Sequence, residues 1–120
     1  MLSDYFAAIA SLEPGRIASC FRADGELEDP VGSLVRSGHD EIRDYWSLGL
    51  CAVAAVVEIE IVAALPAGDS IAGHWQMKAR SHNGAVAHAE GIDVLRLDED
   101  GLIRRAEGYW DLAAFRHALT

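Results

Sequence analysis

The segment Glu28-Asp29-Pro30-Val31-Gly32 contains an aspartate whose surroundings suit proton transfer. In an apolar pocket, an Asp side chain can act as a general base, because partial burial brings its pKa toward neutral pH. An Asp before Pro is also a common turn residue, and Pro30 alone would explain a bend here. The motif predicts a general base at Asp29 but leaves the turn interpretation open.

Asp93 is the second candidate, because it lies on an unexpected face of a predicted strand over residues 85–97. Its face of the strand also carries Ala85, Ala87, Ala89, Gly91, Leu95 and Leu97. Ordinary polar residues take the opposite face, so Asp93 points with small and apolar neighbours. Burial would keep this carboxyl protonated, as a hydrogen-bond donor. Alternatively, the side chain reaches water or a backbone amide near the strand's end.

Tyr5 is the third candidate. It belongs to a predicted first helix over residues 4–10, with Phe6, Ile9 and Leu12 at helical spacing. A tyrosine on such a helix is usually part of the core, where its hydroxyl finds a hydrogen-bond partner.

The helices and strands that must position these residues can be predicted from the spacing of apolar residues. That spacing changes from the period of a helix to the period of a strand near residue 51. The predicted helices cover residues 4–10, 16–21, 39–48 and 112–119, the last capped by Asp111. The predicted strands cover residues 27–30, 52–64, 71–80, 85–97 and 102–110. The predicted turns are Pro66-Ala67-Gly68-Asp69, a type I′ hairpin at Asn83-Gly84, and Asp98-Glu99-Asp100-Gly101.

This order of elements predicts an α+β fold in which a curved antiparallel sheet wraps around three N-terminal helices. Residues 1–120 form one domain, without a linker, repeat or low-complexity tract. An apolar fraction of 51% fits a globular enzyme or binding module.

Composition excludes several classes of function. With 19 acidic and 10 basic residues the net charge is −9, which disfavours nucleic-acid binding. Neither a basic leader nor a membrane span is recognisable, so a soluble, cytoplasmic protein without membrane contact is expected. Cys20 and Cys51 are expected to be reduced thiols, and the five histidines lack zinc-site spacing. No phosphate-binding loop or nucleophile elbow occurs.

Together these residues resemble bacterial steroid Δ-isomerase (ketosteroid isomerase), within the NTF2-like or SnoaL-like superfamily. The resemblance extends from Tyr5 to Trp110 and includes Glu28-Asp29-Pro30-Val31-Gly32-Ser33. Tyr5 precedes Asp29 by 24 residues (29 − 5), the spacing of the family's catalytic tyrosine and aspartate. Ile92-Asp93, ahead of an acidic turn, takes the place of the family's second aspartate.

The resemblance implies a cone-shaped, cystatin-like fold and a catalytic set of Asp29, Tyr5 and Asp93. Asp29 would move a proton on a ketone, while Tyr5 and protonated Asp93 would donate to the dienolate oxygen. Ketosteroid isomerase is the standard example of a neutral buried carboxyl, so that property of Asp93 is taken from the family. Neither a metal nor an organic cofactor is implied, and the implied ligand is an apolar ketone or steroid.

Substrate contacts are expected from residues assigned by strand parity and by position in the family. They are Trp75, Met77, Ala89, Leu95, Trp110, Phe21 and Trp46. Phe21 and Trp46 stand where some family members carry further tyrosines that support the catalytic one. Tyr5 is therefore expected to lack that support.

Other functions stay open within this superfamily. One is a polyketide cyclase-like aldol catalyst, and another is a non-catalytic module that binds small apolar ligands. Limonene epoxide hydrolase uses an Asp-Arg-Asp set, for which no arginine is found, since Arg96 and Lys78 lie on the wrong strand face. A homodimer is predicted through the strand faces that carry His74, Gln76, Val86, His88 and Ile92.

Overall fold

The computed structural model describes residues 2–120, which form helices α1 to α5 and strands β1 to β6. The helices are α1 (Leu2–Ala10), α2 (Pro14–Ala18), α3 (Gly38–Leu48), α4 (Leu50–Val53) and α5 (Leu112–Leu119). The strands are β1 (Phe21–Glu28), β2 (Arg36–Ser37), β3 (Ala54–Ala67), β4 (Ser70–Ser81), β5 (Val86–Leu97) and β6 (Ile103–Tyr109). No helix among these residues is long and apolar enough to cross a membrane.

All six strands belong to one sheet, in the order β2-β1-β6-β5-β4-β3. Strands β3 to β6 form an antiparallel meander, and β1 joins it by pairing parallel to β6. One face of the sheet is covered by helices, with α1 against β3, α3 against β1 and α5 against β5. The predicted α+β fold with a helix-covered curved sheet is confirmed.

The core lies between this sheet face and the helices. Along β4, Gly73, Trp75, Met77 and Ala79 are buried while the residues between them are more exposed. On β5, buried Ala87, Gly91, Asp93 and Leu95 likewise share one face. The alternation read from the sequence is therefore the alternation of the folded strands.

The predicted second helix, over residues 16–21, is wrong at its end. Helix α2 stops at Ala18, and Phe21 begins β1, where it pairs with Ile103 of β6. Asp24-Gly25 lies inside β1, where the pairing register shifts, and a Cβ at Gly25 would come 2.9 Å from the Ile103 carbonyl oxygen. This glycine therefore permits a close approach of the β1 and β6 backbones.

The predicted strand over residues 52–64 is displaced toward the C-terminus. The short helix α4 occupies its first residues, and β3 then runs from Ala54 through Pro66 to Ala67. The turn is reduced to Gly68-Asp69. Because β3 is an edge strand, a proline within it interrupts no central ladder.

The hairpin at Asn83-Gly84 is confirmed, but its predicted turn type is wrong. A type I′ turn needs positive φ at both central residues. Gly84 has φ +91°, whereas Leu12 is the one non-glycine residue within 2–120 with positive φ. The Ser81 amide donates to the Ala85 carbonyl at 2.8 Å, which closes a three-residue loop with glycine in the left-handed position.

Helix α5 begins as predicted. The Asp111 carboxylate accepts a hydrogen bond from the Ala114 amide at 2.9 Å, which satisfies one free N–H of the first turn.

Arg105 of β6 forms ion pairs that connect β6 with β1, the strand that precedes Asp29. Its guanidinium is ion-paired with Glu26 and Glu28 of β1, at N–O distances of 3.2 and 2.8 Å, and with Glu107 of β6 at 3.2 Å. Glu28 also accepts a hydrogen bond from the Gly32 amide at 2.9 Å. The β1–β6 pairing is thereby tied to the turn that follows Asp29.

Glycines leave room around Asp93 on both neighbouring strands. Asp93 is paired with Gly73 of β4 and with Gly108 of β6. A Cβ at Gly73 would overlap the Leu2 side chain, and one at Gly108 would overlap the Asp29 carboxylate. The row Gly73–Asp93–Gly108 therefore lets side chains from elsewhere in the fold approach the sheet beside Asp93.

Replacing Gly108 by Ala should destabilise the protein by about 1–3 kcal/mol, because the added methyl group collides with Asp29 in a packed interior. Chemical denaturation of both forms would measure the change. Gly15→Ala is the matched control, since a Cβ there meets nothing within 4 Å and alanine favours the helix. A Gly108→Ala protein as stable as the parent would contradict this account of the glycine row.

Candidate functional site

A cavity of about 760 Å³ lies between the helix-covered face of the sheet and helices α1, α3 and α5. Its wall is mostly apolar, and two buried carboxylates project into it, those of Asp29 and Asp93. The principal apolar side chains of the wall are Phe6, Ile9, Trp46, Val53, Ile59, Trp75, Met77, Trp110, Leu112 and Phe115. Size and lining suit a bulky apolar ligand.

Asp29 follows the last residue of β1 and is held at three atoms. The Trp110 indole N–H donates to Oδ1 at 2.6 Å. The Tyr45 hydroxyl, from α3, lies 2.5 Å from the Asp29 carbonyl oxygen and 3.3 Å from Oδ2. These donors fix the side chain in a cavity where it would otherwise lack hydrogen bonds.

Burial is the main influence on Asp29 and raises its pKa to about 6. The hydrogen bonds from Trp110 and Tyr45, and the positive charge of Arg36, lower the pKa and oppose this rise. At neutral pH the balance leaves Asp29 ionised and only moderately acidic, as a general base requires.

Asp93 has fewer stabilising contacts. The Trp75 indole N–H donates to its Oδ1 at 2.9 Å. Burial, and then the nearby Asp29 charge, raise the pKa of Asp93 to about 8, while the Trp75 hydrogen bond lowers it. This carboxyl is therefore protonated at neutral pH, and because Oδ1 accepts from Trp75, the proton is placed on Oδ2.

The two carboxylates meet beside Gly108. The position that a Cβ would take at Gly108 overlaps Asp29 Oδ1 and lies 3.2 Å from Asp93 Oδ1. Two carboxyls this close do not ionise together easily, so one is charged and the other neutral over a range of pH. The site thus contains one proton acceptor and one proton donor at the same time.

Tyr5 lies near this pair but is not among the residues that line the cavity. Its ring is buried and meets Phe21 edge-on at a centroid distance of 5.6 Å. Burial, with the charges of Asp93 and Asp29, raises the pKa of Tyr5 well above 10, so the phenol keeps its proton. Tyr45 is a further nearby tyrosine, since its charged form also contributes to raising the pKa of Tyr5.

Of the expected substrate contacts, the structure places Trp46, Trp75, Met77 and Trp110 in the cavity wall. It places the others outside the wall: Phe21, Leu95 and Ala89 pack within or against the core. Strand parity identifies the covered face of a sheet, but it does not show which part of that face the helices leave open.

Tyr45 and Arg36 were missed as site residues. Both line the cavity, and the Arg36 guanidinium stacks on the Tyr45 ring at 4.7 Å from its centroid. Arg36 lies in the two-residue strand β2, which is too short to show the alternation that assigns residues of the long strands to a face. For Tyr45, its place beside Trp46 on the apolar side of α3 was the available signal.

A metal site is a separate question, since carboxylates also bind cations. Among residues 2–120, no three His, Cys, Asp or Glu side chains are grouped so that they could hold a metal ion.

Two sequence comparisons identify relatives of this chain. The model of the SnoaL-like domain family matches residues 2–106. The steroid Δ-isomerase of Nocardioides simplex is 30% identical over 109 residues, which cover 88% of this chain and 83% of that protein.

Solved structures show the same fold. The epoxide hydrolase/cyclase-like enzyme SalBIII, which has a role in pyran ring formation in the polyether salinomycin, aligns with a TM-score of 0.80 and 24% identity, over 94% of this chain and 89% of its own. A hypothetical protein with a ketosteroid isomerase-like fold from Catenulispora acidiphila, in complex with trimethylamine, aligns with a TM-score of 0.81 and 20% identity, over 95% and 87%.

The resemblance predicted from Tyr5, Asp29 and Asp93 is therefore confirmed at the level of the family. The match covers nearly the whole chain. The protein belongs to the SnoaL-like domain family.

Proposed function

We propose that the protein is an isomerase of the steroid Δ-isomerase type, which converts a β,γ-unsaturated ketone into its conjugated isomer. The observation that supports this most is the pair of buried carboxyls in one apolar cavity, with the pKa of Asp29 near 6 and that of Asp93 near 8. The 30% identity to a steroid Δ-isomerase supports the same reaction.

In the proposed reaction, Asp29 removes a proton from the carbon between the carbonyl group and the double bond. The electrons of that C–H bond move into the conjugated system and leave a dienolate whose negative charge lies mainly on oxygen. Protonated Asp93, which lines the cavity, donates a hydrogen bond to this oxygen, and the neighbouring Tyr5 phenol adds a second one when its hydroxyl reaches into the cavity. Each such donor contributes about 3 kcal/mol to lowering a barrier of this kind. Asp29 then returns the proton to the γ carbon, and the double bond becomes conjugated.

The substrate in this proposal is a rigid apolar ketone, such as a 3-oxo steroid or a smaller enone precursor. The cavity wall supplies aromatic surface from Phe6, Trp75 and Trp110 for its rings. Apart from Asp29, Asp93 and Tyr5, the chemistry requires no further reactive group.

The pH dependence of kcat/KM on a β,γ-unsaturated ketosteroid should be bell-shaped. Activity should rise as Asp29 loses its proton near pH 6 and fall as Asp93 loses its proton near pH 8. The appearance of the conjugated ketone, followed by ultraviolet absorbance from pH 4 to 10, measures both limbs. Activity that keeps rising above pH 9 would remove Asp93 from the role of proton donor.

Replacing Asp29 by Asn should lower kcat by roughly 10²–10⁴-fold, because the amide does not accept the substrate proton. Binding of a planar phenolic steroid should persist, since the apolar wall is unchanged. Asp100→Asn, on the exposed β5–β6 turn, is the control and should keep full activity. An active Asp29→Asn protein would place the base elsewhere.

A second candidate is an aldol-type cyclisation, as in polyketide cyclases of the same superfamily. It needs a base at one carbon and an acid at the carbonyl oxygen, without return of the proton to another carbon. Asp29 accepts hydrogen bonds at both carboxylate oxygens, from Trp110 and Tyr45, and this tethering favours proton removal at a single position. Tight binding of phenolic steroid without isomerisation of the β,γ-enone would favour this candidate or a purely ligand-binding role.

We also propose a homodimer that forms through the exposed face of the sheet. Val86 and Ile92 of β5 are each nearly half exposed there, beside His74, Gln76 and His88. The same face also carries the charged groups of Lys78 and Glu90, the latter 2.5 Å from His74, so the proposed interface combines apolar contacts with polar ones.

Sedimentation velocity at micromolar concentration should give a dimer, and Ile92→Asp should shift it toward the monomer by burying a charge. Leu34→Asp, which changes an exposed leucine at the cavity mouth, is the control. A monomeric parent protein would contradict the dimer.

A further inference from the structure

Trp110 and Tyr45 contact different oxygens of the Asp29 carboxylate. Oδ1 accepts the 2.6 Å hydrogen bond from the Trp110 indole, which is close to the shortest length for such a bond. Oδ2 has only the long 3.3 Å contact from the Tyr45 hydroxyl. Oδ2 is therefore the oxygen with a lone pair available for a substrate proton.

The same Tyr45 hydroxyl is anchored to the backbone of Asp29. It donates to the Asp29 carbonyl oxygen at 2.5 Å, and this short bond fixes the phenol oxygen next to Oδ2. Arg36 packs on the opposite side, with its guanidinium over the Tyr45 ring at 4.7 Å and its own N–H donating to the Leu34 carbonyl at 2.7 Å. The phenol is thus confined between Arg36 and Asp29.

We propose that Tyr45, held in place by Arg36, is the positioning residue for the working oxygen of Asp29. This inference rests on the proposed function in one respect, namely that Asp29 takes its proton from a substrate. Tyr45 acts on the base and not on the substrate, so it is not a catalytic residue.

The groups that act on Asp29 come from several elements. They are Asp93 of β5, Tyr5 of α1, Tyr45 of α3, Arg36 of β2 and the Trp110 indole after β6, while Arg116 of α5 acts on Tyr45. Among them, Tyr45 and Arg36 favour the charged form of Asp29, as Trp110 does. Removing either one should therefore raise the pKa of Asp29, because a contact that stabilises the carboxylate is lost.

The two carboxyls can be titrated separately through the indoles that bind them. The Trp110 N–H donates to Asp29 and the Trp75 N–H to Asp93, so their indole ¹H–¹⁵N resonances report the two ionisations. Trp75→Phe and Trp110→Phe assign the signals. The measurement needs neither substrate nor turnover.

In the parent protein the Trp110 signal should titrate near pH 6. Tyr45→Phe should raise that midpoint by up to about one pH unit, the size expected for one full hydrogen bond to a charged group, because the hydroxyl shares its one proton between the carbonyl oxygen and Oδ2. Arg36→Gln should raise it in the same direction, in part because the charge of Arg36 is lost. Arg36→Lys keeps that charge but not the planar guanidinium over the Tyr45 ring, so a rise in Arg36→Lys tests the proposal if Tyr45→Phe folds poorly. The Trp75 midpoint should not rise with it, because a less charged Asp29 repels the Asp93 charge less.

Tyr109→Phe is the matched control, since it removes a hydroxyl from a half-exposed tyrosine of β6. An unchanged or lower Trp110 midpoint in Tyr45→Phe and Arg36→Gln, or an equal rise in Tyr109→Phe, would overturn the proposal. In the isomerase assay, the acid limb of Tyr45→Phe should move by the same amount, with a larger change in kcat than in KM. A parent protein that fails to isomerise the enone would contradict the proposed function while the indole titration still decides the role of Tyr45.

Discussion

The removal of two carboxyl groups from water is the physical constraint on which this structure depends. Burial alone would make Asp29 and Asp93 neutral, and it is the largest influence on both pKa values. Their surroundings then separate them. Asp29 accepts hydrogen bonds from Trp110 and Tyr45 and lies near the charge of Arg36, whereas Asp93 accepts one from Trp75 and faces Asp29. The unequal number of stabilising contacts leaves Asp29 ionised and Asp93 protonated at neutral pH.

The two tryptophans that hold these carboxyls also hold each other. Trp75 and Trp110 meet edge-on at a centroid distance of 5.5 Å, and Gly91 lies opposite Trp75 in the neighbouring strand. A Cβ at Gly91 would come 2.6 Å from the Trp75 ring and 2.7 Å from Trp110 Cβ. The absence of that one carbon allows both indoles to pack there, so the acid and the base are oriented by a shared set of contacts.

The features that could be predicted from the sequence depend on the alternation of residues along a strand and on the spacing between residues. Asp93 was identifiable because the period of a strand fixes its face, and Asp29 and Tyr5 because their separation matches a family. The predicted end of α2 was wrong because Phe21 belongs to β1 and pairs with Ile103 of β6, 82 positions later in the chain (103 − 21). No local pattern reveals such a pairing. Arg36 and Tyr45 were missed for a related reason, since their contacts with each other and with Asp29 arise only when β2 and α3 pack beside β1.

The parallel pairing of β1 with β6 also bears on when the site can form. Glu28, next to the base, pairs with Glu107, next to Gly108, so the first and last strands must meet before either aspartate has its final neighbours. Bringing together two strands that are so far apart in the chain costs more conformational entropy and is therefore slower. The β3–β4–β5 hairpins close over short loops. We therefore expect the meander to fold first and the acid–base pair to assemble in the last stage of folding. Until then the Asp29 side chain is exposed to water and has the pKa of an ordinary aspartate, about 3.9, so the separation of the two carboxyls into a charged and a neutral group is a property of the completed fold alone.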